Sequence, residues 1–236
     1  MENFLKELTD LSPIYLFLVF LGQNLLVFIL ALLFGSYMLA KHKQPKENIK
    51  TKDWWVSACT VLINTIITYL GYWLWQKGLI KIDFSFSLAF IMDVFILFFA
   101  MDFLMYVFHF IIHHSLLHKR IHAMHHEAID PQPIDLFILH PVETLAFGAL
   151  WLGVLFTATF NGWAILVYLA LNVGFGIIGH LGFEPLRKTN SRTYNVAKFI
   201  GTSSFHHGHH QDMSCNFGFY TSVWDRLFGT FADRKQ

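Results

Sequence analysis

Long apolar segments constrain the fold of this chain more than any other feature of its sequence. A membrane-spanning helix needs about 20 mostly apolar residues. Five segments approach or exceed that length: Leu11–Ala40, Trp54–Gln76, Phe84–Ile112, Pro141–Phe160 and Trp163–Gly179. Charged residues make up only 14% of the chain, whereas soluble domains carry about 25%. The sequence therefore predicts an all-α integral membrane protein with four to five membrane-embedded helices.

The ends of these segments carry helix and interface signals. Ser12 and Pro13 suit the N-cap and the first position of the first helix. Tryptophan and tyrosine cluster at both ends of the second segment, as they do at membrane–water interfaces. The third segment exceeds the hydrocarbon thickness, so we expect it to tilt or to project. The last two segments predict a hairpin that turns at Asn161 and Gly162, either as two full spans or as a shallower re-entrant pair.

Basic residues indicate how the chain is oriented. Fourteen of the 17 lysine and arginine residues fall on one side of the predicted spans, in the stretches Lys41–Asp53, His113–Asp130 and Leu181–Gln236. The positive-inside rule assigns that side to the cytosol. The amino terminus is then expected on the opposite side. A bacterial inner membrane and an endoplasmic reticulum membrane both fit this topology.

The predicted organisation is an N-terminal membrane region followed by a second, larger region. We expect residues 1–83 to contain two spans, and residues 84–236 to contain the long third span, the hairpin and a cytosolic helical cap. The net charge of +1 gives no basic field that would attract nucleic acid. The two cysteines, Cys59 and Cys215, cannot form a disulfide framework.

Histidines are concentrated at one end of the predicted spans. Thirteen of the 14 histidines lie between His109 and His210, whereas His42 stands alone in a basic linker where it is most simply solvated. On the predicted topology, each group falls at or just beyond the cytosolic end of an apolar segment. Segments that are distant in sequence therefore converge on one layer of the membrane.

The spacing of these histidines indicates shared helix faces. Positions three and four apart lie on the same face of a helix. We expect one polar stripe from Asp102, Tyr106, His109 and His113, and we expect His180 to join the histidine faces. Two further groups repeat the i, i+3, i+4 pattern: His122, His125 and His126, then His206, His209 and His210. Nine imidazoles suffice for two metal ions with four or five ligands each, and imidazole suits zinc, copper, iron or nickel.

The positions of four other histidines do not indicate a single role. His114 and His118 suit the surface at least as well as a metal site. His140 precedes a predicted hairpin helix, where a structural role and an orienting role are equally supported. His207 allows a second alignment of the group that contains His209 and His210, although only His206 gives the HxxHH spacing.

These motifs resemble the fatty acid hydroxylase/sterol desaturase superfamily of membrane non-haem diiron enzymes. Its three histidine boxes, HxxxH, HxxHH and HxxHH, match His109–His113, His122–His126 and His206–His210. Asp102 and Tyr106 match residues that precede the first box, and His180 matches a histidine between the second and third boxes. Residues 215–218 and 224–230 resemble the closing signature of the family. One departure is Phe110, where many members carry arginine.

The resemblance implies a lipid oxidation that uses two iron ions, O2 and two electrons. The substrate would be an unactivated C–H position of a fatty acyl or sterol-like lipid, hydroxylated or desaturated. Electrons would come from an external carrier, such as a cytochrome b5-like or ferredoxin-like protein with its reductase. Carboxylates that accept the outer imidazole N–H would fix the ligand tautomers. The candidates are Asp102, supported by Tyr106, and Glu143, Glu184, Asp212 and Asp225.

Two other classes of function remain open at this stage. A membrane zinc hydrolase needs an open metal position and commonly a glutamate base, but the HExxH motif that begins at His126 fails at Asp130. A metal transporter or sensor places its ligands near the bilayer midplane instead of at one face. Asp93 lies off the histidine stripe and suggests a helix-packing contact. The basic cluster Arg187, Lys188, Arg192 and Lys198 suits either a membrane anchor or a docking site for an acidic electron carrier.

Overall fold

The protein is described by a computed structural model that covers residues 2–46, 48–85, 87–185 and 199–232. Four of its helices are long and apolar enough to cross a membrane. They are α2 (Pro13–Lys41), α3 (Thr51–Gln76), α4 (Ala89–His114) and α6 (Gly162–Gly179). The shorter helices are α1 (Glu2–Glu7), α5 (Pro141–Thr157), α7 (Ser203–Gln211) and α8 (Val223–Phe228). The predicted all-α membrane fold is confirmed, and α5, with 17 residues, is the shortest of the five membrane-embedded candidates.

The helix ends follow local sequence signals. Helix α2 begins at Pro13 after an extended Ser12, as predicted, although the Ser12 side chain makes no capping hydrogen bond. Helix α3 begins at Thr51, earlier than predicted, because the Asp53 carboxylate accepts a hydrogen bond from the Lys50 backbone N–H at 3.0 Å. Helix α4 begins only at Ala89. A two-residue strand, Ile82–Asp83, precedes it in the chain.

The hairpin between α5 and α6 turns where the sequence predicts. Strand β2 (Phe160–Asn161) pairs in parallel with β1 (Ile82–Asp83), and α6 begins at Gly162. The Asn161 side chain accepts a hydrogen bond from the Trp163 N–H at 2.9 Å, which caps α6. The Asn161 backbone N–H donates to Asp93 Oδ2 at 2.7 Å. Asp93 therefore makes a packing contact between α4 and the hairpin.

The paired strands bring the ends of α4 and α6 together. Each strand precedes one of these helices, and the helices pack against each other, so they run in the same direction. Their core contains Leu97, Met101 and Tyr168, all buried. Both carboxyl ends consequently reach the same side of the molecule, and α5 begins on that side.

The second histidine box does not form the α-helix that its spacing predicts. Residues His118–His122 form a π-helical turn, and His125–Glu127 form a 3-10 turn. The prediction of one shared helix face was wrong here because the hydrogen bond from Ala123 N–H to the His118 carbonyl widens the turn. The predicted basic cluster, Arg187, Lys188, Arg192 and Lys198, lies outside the described residues.

Candidate metal centre

Nine histidines gather into two adjacent groups at the carboxyl ends of α4 and α6. Within each group, one nitrogen of every imidazole lies within 4.8 Å of the others. The five-histidine group contains His109, His113, His122, His126 and His209, and the four-histidine group contains His125, His180, His206 and His210. The rings of His126 and His210, one from each group, have centroids only 4.7 Å apart.

The second and third histidine boxes each contribute to both groups, whereas the first contributes only to the five-histidine group. Helix α4 supplies two rings to the five-histidine group, and His180 follows the last residue of α6 into the four-histidine group. The non-α-helical second box sends His125 to one group and its neighbours to the other. In α7, His206 and His210 share a face, whereas His209 points to the five-histidine group.

The Nε2 atoms are the ones that converge. In the five-histidine group, His122 Nε2 lies 3.0 Å from those of His109 and His126. His113 Nε2 lies 3.0 Å from that of His209. In the four-histidine group, neighbouring Nε2 atoms are separated by 3.1 to 3.4 Å. Each group therefore encloses a small volume lined by ring nitrogens.

Six of the nine opposite ring nitrogens, Nδ1, have a hydrogen-bond acceptor in the described part of the chain, whereas the buried Nδ1 of His126 has none. In the five-histidine group, His109 Nδ1 donates to the Phe217 carbonyl at 2.8 Å. His209 Nδ1 donates to the Cys215 carbonyl at 2.6 Å. In the four-histidine group, the acceptors are backbone carbonyls of Gly176, Ala128 and Ile138, for His180 at 2.7 Å, His210 at 2.8 Å and His125 at 3.4 Å. A carbonyl oxygen only accepts, so the Nδ1 of each of these five rings carries a proton, and the Nε2 of the neutral ring presents a lone pair.

Glu143 makes the contact predicted for an orienting carboxylate. Its Oε1 accepts a hydrogen bond from His122 Nδ1 at 2.7 Å, and both side chains are buried. Its Oε2 is buried without a hydrogen-bond partner in the described part of the chain. The arrangement fixes the tautomer and the ring orientation of His122, so that its Nε2 faces inward.

Burial keeps the imidazoles outside the spans neutral. Desolvation, reinforced by neighbouring imidazoles, lowers the pKa of His125, His206 and His209 well below the usual value. Burial also lowers the pKa of His180 to about 4 and that of His210 to about 3. Neutral imidazole is the form that binds metal ions.

Inward lone pairs at these separations fit a bound cation. His109 and His122 both use their Nδ1 protons elsewhere, so no proton is left to bridge their Nε2 atoms. A divalent first-row transition metal suits nitrogen ligands arranged in this way. The donor set therefore fits the two metal ions that the sequence predicts.

Asp102 and Tyr106 differ from their predicted role beside an imidazole. The Asp102 carboxylate accepts hydrogen bonds from Tyr220 N–H at 2.9 Å and from Thr221 Oγ1 at 2.5 Å. It also accepts one from Trp224 Nε1 at 3.0 Å. The expectation that Asp102 accepts an imidazole N–H was wrong, because residues 220–224 fill its acceptor positions. The Tyr106 hydroxyl pairs with Thr230 Oγ1 at 3.2 Å.

The other predicted carboxylates bind local hydrogen-bond donors. Asp212 accepts hydrogen bonds from the backbone N–H and the hydroxyl of Ser214, at 3.1 and 2.6 Å. Glu184 accepts from the Ser204 hydroxyl at 2.7 Å. Asp225 accepts from the backbone N–H groups of Phe217 and Gly218, at 2.7 and 2.8 Å.

The four less specific histidines lie around the two groups. His140 caps α5 by accepting a hydrogen bond from the Val142 N–H at 3.2 Å. His207 pairs with Asp130 at 2.8 Å. His114 and His118 line a groove of about 520 Å³ beside His113. The carbonyl acceptors were missed by sequence reasoning, since backbone groups leave no signal in the residue pattern.

Comparison with known proteins identifies the family. The fatty acid hydroxylase family matches residues 94–230, a range that contains all three histidine boxes. The chain belongs to this family. The predicted family is thereby confirmed, and it consists of oxidoreductases that act on lipids.

Individual relatives are similar over part of their length. Protein CER1-like 2 of Arabidopsis thaliana is 28% identical over 176 residues, which cover 72% of this chain and 28% of that protein. Very-long-chain aldehyde decarbonylase GL1-6 of Oryza sativa subsp. indica is 31% identical over 122 residues, covering 47% of this chain and 18% of the relative. Methylsterol monooxygenase 1 of Gallus gallus is 30% identical over 114 residues, covering 47% and 36%. This chain thus spans well under half of these relatives, and no solved structure matches it significantly.

Proposed function

We propose that this chain is a membrane-bound non-haem diiron oxidoreductase that hydroxylates or desaturates an unactivated C–H position of a fatty acyl or sterol-like lipid. O2 is the co-substrate, and electrons come from an external carrier. The observation that carries the proposal is the convergence of nine Nε2 atoms into groups of five and four. Membership of the fatty acid hydroxylase family supports the lipid substrate.

Unactivated C–H bonds explain why such a site is needed. They have no acidic proton and no leaving group, so acid–base or nucleophilic side chains cannot break them. Two iron ions bound here would supply the activation of O2 that side chains lack. The nine histidines would hold the metals, and Glu143 fixes the orientation of His122.

Aromatic side chains pack against both histidine groups of the metal centre. The Phe219 ring lies 5.1 Å from His109 and 6.2 Å from His206, so it contacts a ring from each group. Phe217 is fully buried, with its ring 5.4 Å from that of His209. Both rings help to exclude water from the centre, and the partly buried Phe219 would offer an apolar contact to an alkyl chain or a sterol.

The proposal includes the side of the membrane that the metal centre faces and the source of the electrons. The distribution of basic residues favours a cytosolic metal centre in a bacterial inner membrane or the endoplasmic reticulum. A cytochrome b5-like or ferredoxin-like carrier with its reductase would deliver electrons from that side. The proposal also divides the chain at residue 83, so that a region with two spans precedes the oxidoreductase region.

The relatives add one further candidate reaction. Three of the similar proteins carry the name very-long-chain aldehyde decarbonylase, two of them 31% and one 28% identical over the aligned part. A long-chain aldehyde is therefore a second substrate class to test. Its product would have one carbon fewer, which distinguishes it from a hydroxylated or desaturated lipid.

Hydrolysis and metal transport have weaker support. Glu127, the acidic residue of the incomplete HExxH pattern, is exposed and pairs with Lys52 at 3.1 Å. A hydrolytic zinc site keeps three protein ligands and one open position. This chain instead has adjacent groups of four and five histidines. The histidines also lie at one end of α4 and α6, away from the hairpin turn.

Turnover by the membrane-embedded protein tests the proposal. Membranes containing the chain would be supplied with O2, a reductase system and a panel of fatty acyl, sterol and long-chain aldehyde substrates. We expect an O2-dependent hydroxylated or unsaturated lipid, detected by mass spectrometry and absent with the His209→Ala variant. Identical lipid profiles for the wild type and the variant, with every donor tested, would contradict the proposal.

A further inference from the structure

We propose that Asp102 and Asp225 are positioning residues of the five-histidine group. They hold a loop, residues 215–221, whose carbonyl oxygens orient two metal-binding imidazoles. We call this segment the orienting loop. The inference rests on the metal binding proposed above and assigns a role to the closing signature of the sequence.

The orienting loop connects ligands from two separate helices. Its Cys215 carbonyl accepts the Nδ1 proton of His209 from α7, and its Phe217 carbonyl accepts that of His109 from α4. Between them, Asn216 adopts a left-handed backbone conformation with a φ of 59°. The Asn216 side chain bonds to the backbone of Ala232, donating to its carbonyl at 3.1 Å and accepting from its N–H at 2.9 Å. The position of this loop therefore sets the direction of two Nε2 lone pairs.

Asp225 fixes the middle of the orienting loop. Its carboxylate is fully buried and accepts hydrogen bonds from the Phe217 N–H at 2.7 Å and the Gly218 N–H at 2.8 Å. Thr230 Oγ1 donates a third hydrogen bond at 2.7 Å. Asp225 therefore holds the peptide units on both sides of Phe217. The second of these units contains the carbonyl that orients His109.

Asp102 fixes the far end of the orienting loop to α4. Its carboxylate is fully buried and accepts hydrogen bonds from the backbone N–H groups of Tyr220 and Thr221, at 2.9 and 3.2 Å. Asp102 precedes His109 by seven residues, or about two helical turns. The same helix therefore carries the ligand and the anchor of the loop that orients it.

The four-histidine group is oriented by different segments. His180, His210 and His125 donate to the carbonyls of Gly176, Ala128 and Ile138, all of which lie outside the orienting loop. Loosening the loop should therefore weaken metal binding by the five-histidine group alone. A general loss of folding would remove both metals together, so the two effects are distinguishable.

Isosteric amide substitutions test the two carboxylates. The variants are Asp102→Asn and Asp225→Asn, in which one acceptor oxygen becomes an NH2 group that faces hydrogen-bond donors. The matched control is Asp93→Asn, on the same helix, whose carboxylate accepts the Asn161 N–H far from the histidines. Thr221→Val is a milder variant that removes the hydroxyl hydrogen bond to Asp102 and the longer one, at 3.3 Å, that the same hydroxyl accepts from the Val223 N–H.

Metal retention and hydrogen exchange are the measurements. Each purified, iron-loaded protein would be dialysed against a chelator, counted for iron per chain, and analysed by Mössbauer spectroscopy of enriched iron. Loss of an outer hydrogen-bond partner typically weakens metal binding by about 10–100-fold. Both Asp→Asn variants should therefore lose one of the two spectral components, while Asp93→Asn keeps both. In the metal-free proteins, amide exchange within the orienting loop should accelerate in both Asp→Asn variants.

Two outcomes would overturn the inference. The first is retention of both spectral components and unchanged loop exchange in Asp102→Asn and Asp225→Asn. The second, if these variants fail to fold, is a Thr221→Val protein with wild-type metal retention and wild-type loop exchange. Absence of metal from the wild-type protein would instead count against the proposed function, while the exchange measurement would still test the loop.

Discussion

The Nε2 atoms of His109 and His122 lie 3.0 Å apart, although both rings donate their Nδ1 protons to other groups. Two neutral imidazoles in these tautomers cannot form a hydrogen bond with each other. Their lone pairs repel unless a cation lies between them. This pair gives the clearest physical reason to assign a metal ion to the five-histidine group.

Metal removal should destabilise the folded protein. Chelation leaves the converging lone pairs uncompensated, and a ligand that binds only the folded state adds about 2.7 kcal/mol at 100 times its Kd. We expect a lower Tm for the chelator-treated protein in detergent, restored by adding iron. An unchanged Tm after verified metal removal would argue against this account.

Neighbouring histidines of α7 should affect different metals. His209 belongs to the five-histidine group and His210 to the four-histidine group. Iron-loaded His209→Ala and His210→Ala proteins should each lose one spectral component, and the component lost should differ between them. Loss of the same component from both variants would contradict the division into two groups.

Glu143→Gln should weaken metal binding through His122. The amide keeps the size of the side chain but removes the negative charge that faces His122 Nδ1. We expect metal binding about 10–100-fold weaker, measured by competition with a chelator. The control is Glu127→Gln, which alters an exposed ion pair with Lys52 worth about 0–1 kcal/mol. Equal metal affinities for the two variants would show that Glu143 does not support metal binding.

The spans and the boxes were predictable from the sequence, whereas the hydrogen bonds around them were not. Apolar length and helical spacing are local signals: the spacing predicts eight of the nine histidines, and the end of an apolar segment predicts His180. The split of His125 from His122 and His126 depends on a π-helical turn that spacing does not encode. The partners of Asp102 lie more than 100 residues away, beyond the reach of any local pattern.

Acid should destabilise the metal-free protein. Burial lowers the pKa of His180 to about 4 and that of His210 to about 3, from 6.5 in the unfolded chain. Between pH 6.5 and these values the unfolded state binds more protons, so the free energy of unfolding falls as the pH falls. This contribution is complete above pH 6.5 and is lost progressively below it.

Thermal unfolding of the chelator-treated protein at about pH 7 and about pH 5 measures this linkage. The His210→Gln variant should show a smaller drop in Tm, because it lacks one of the shifted groups. A His114→Gln control, which changes an exposed ring, should show the wild-type drop. Identical pH dependence in the wild type and His210→Gln would contradict the prediction.

Metal identity and stoichiometry test the central claim most directly. The protein would be purified in detergent from iron-supplemented cells and analysed for every transition metal, beside a His125→Ala variant. The account predicts about two iron ions per chain, with at least one lost from the variant because His125 lies in the four-histidine group. A single zinc ion per chain, with no iron even when zinc is withheld, would contradict it.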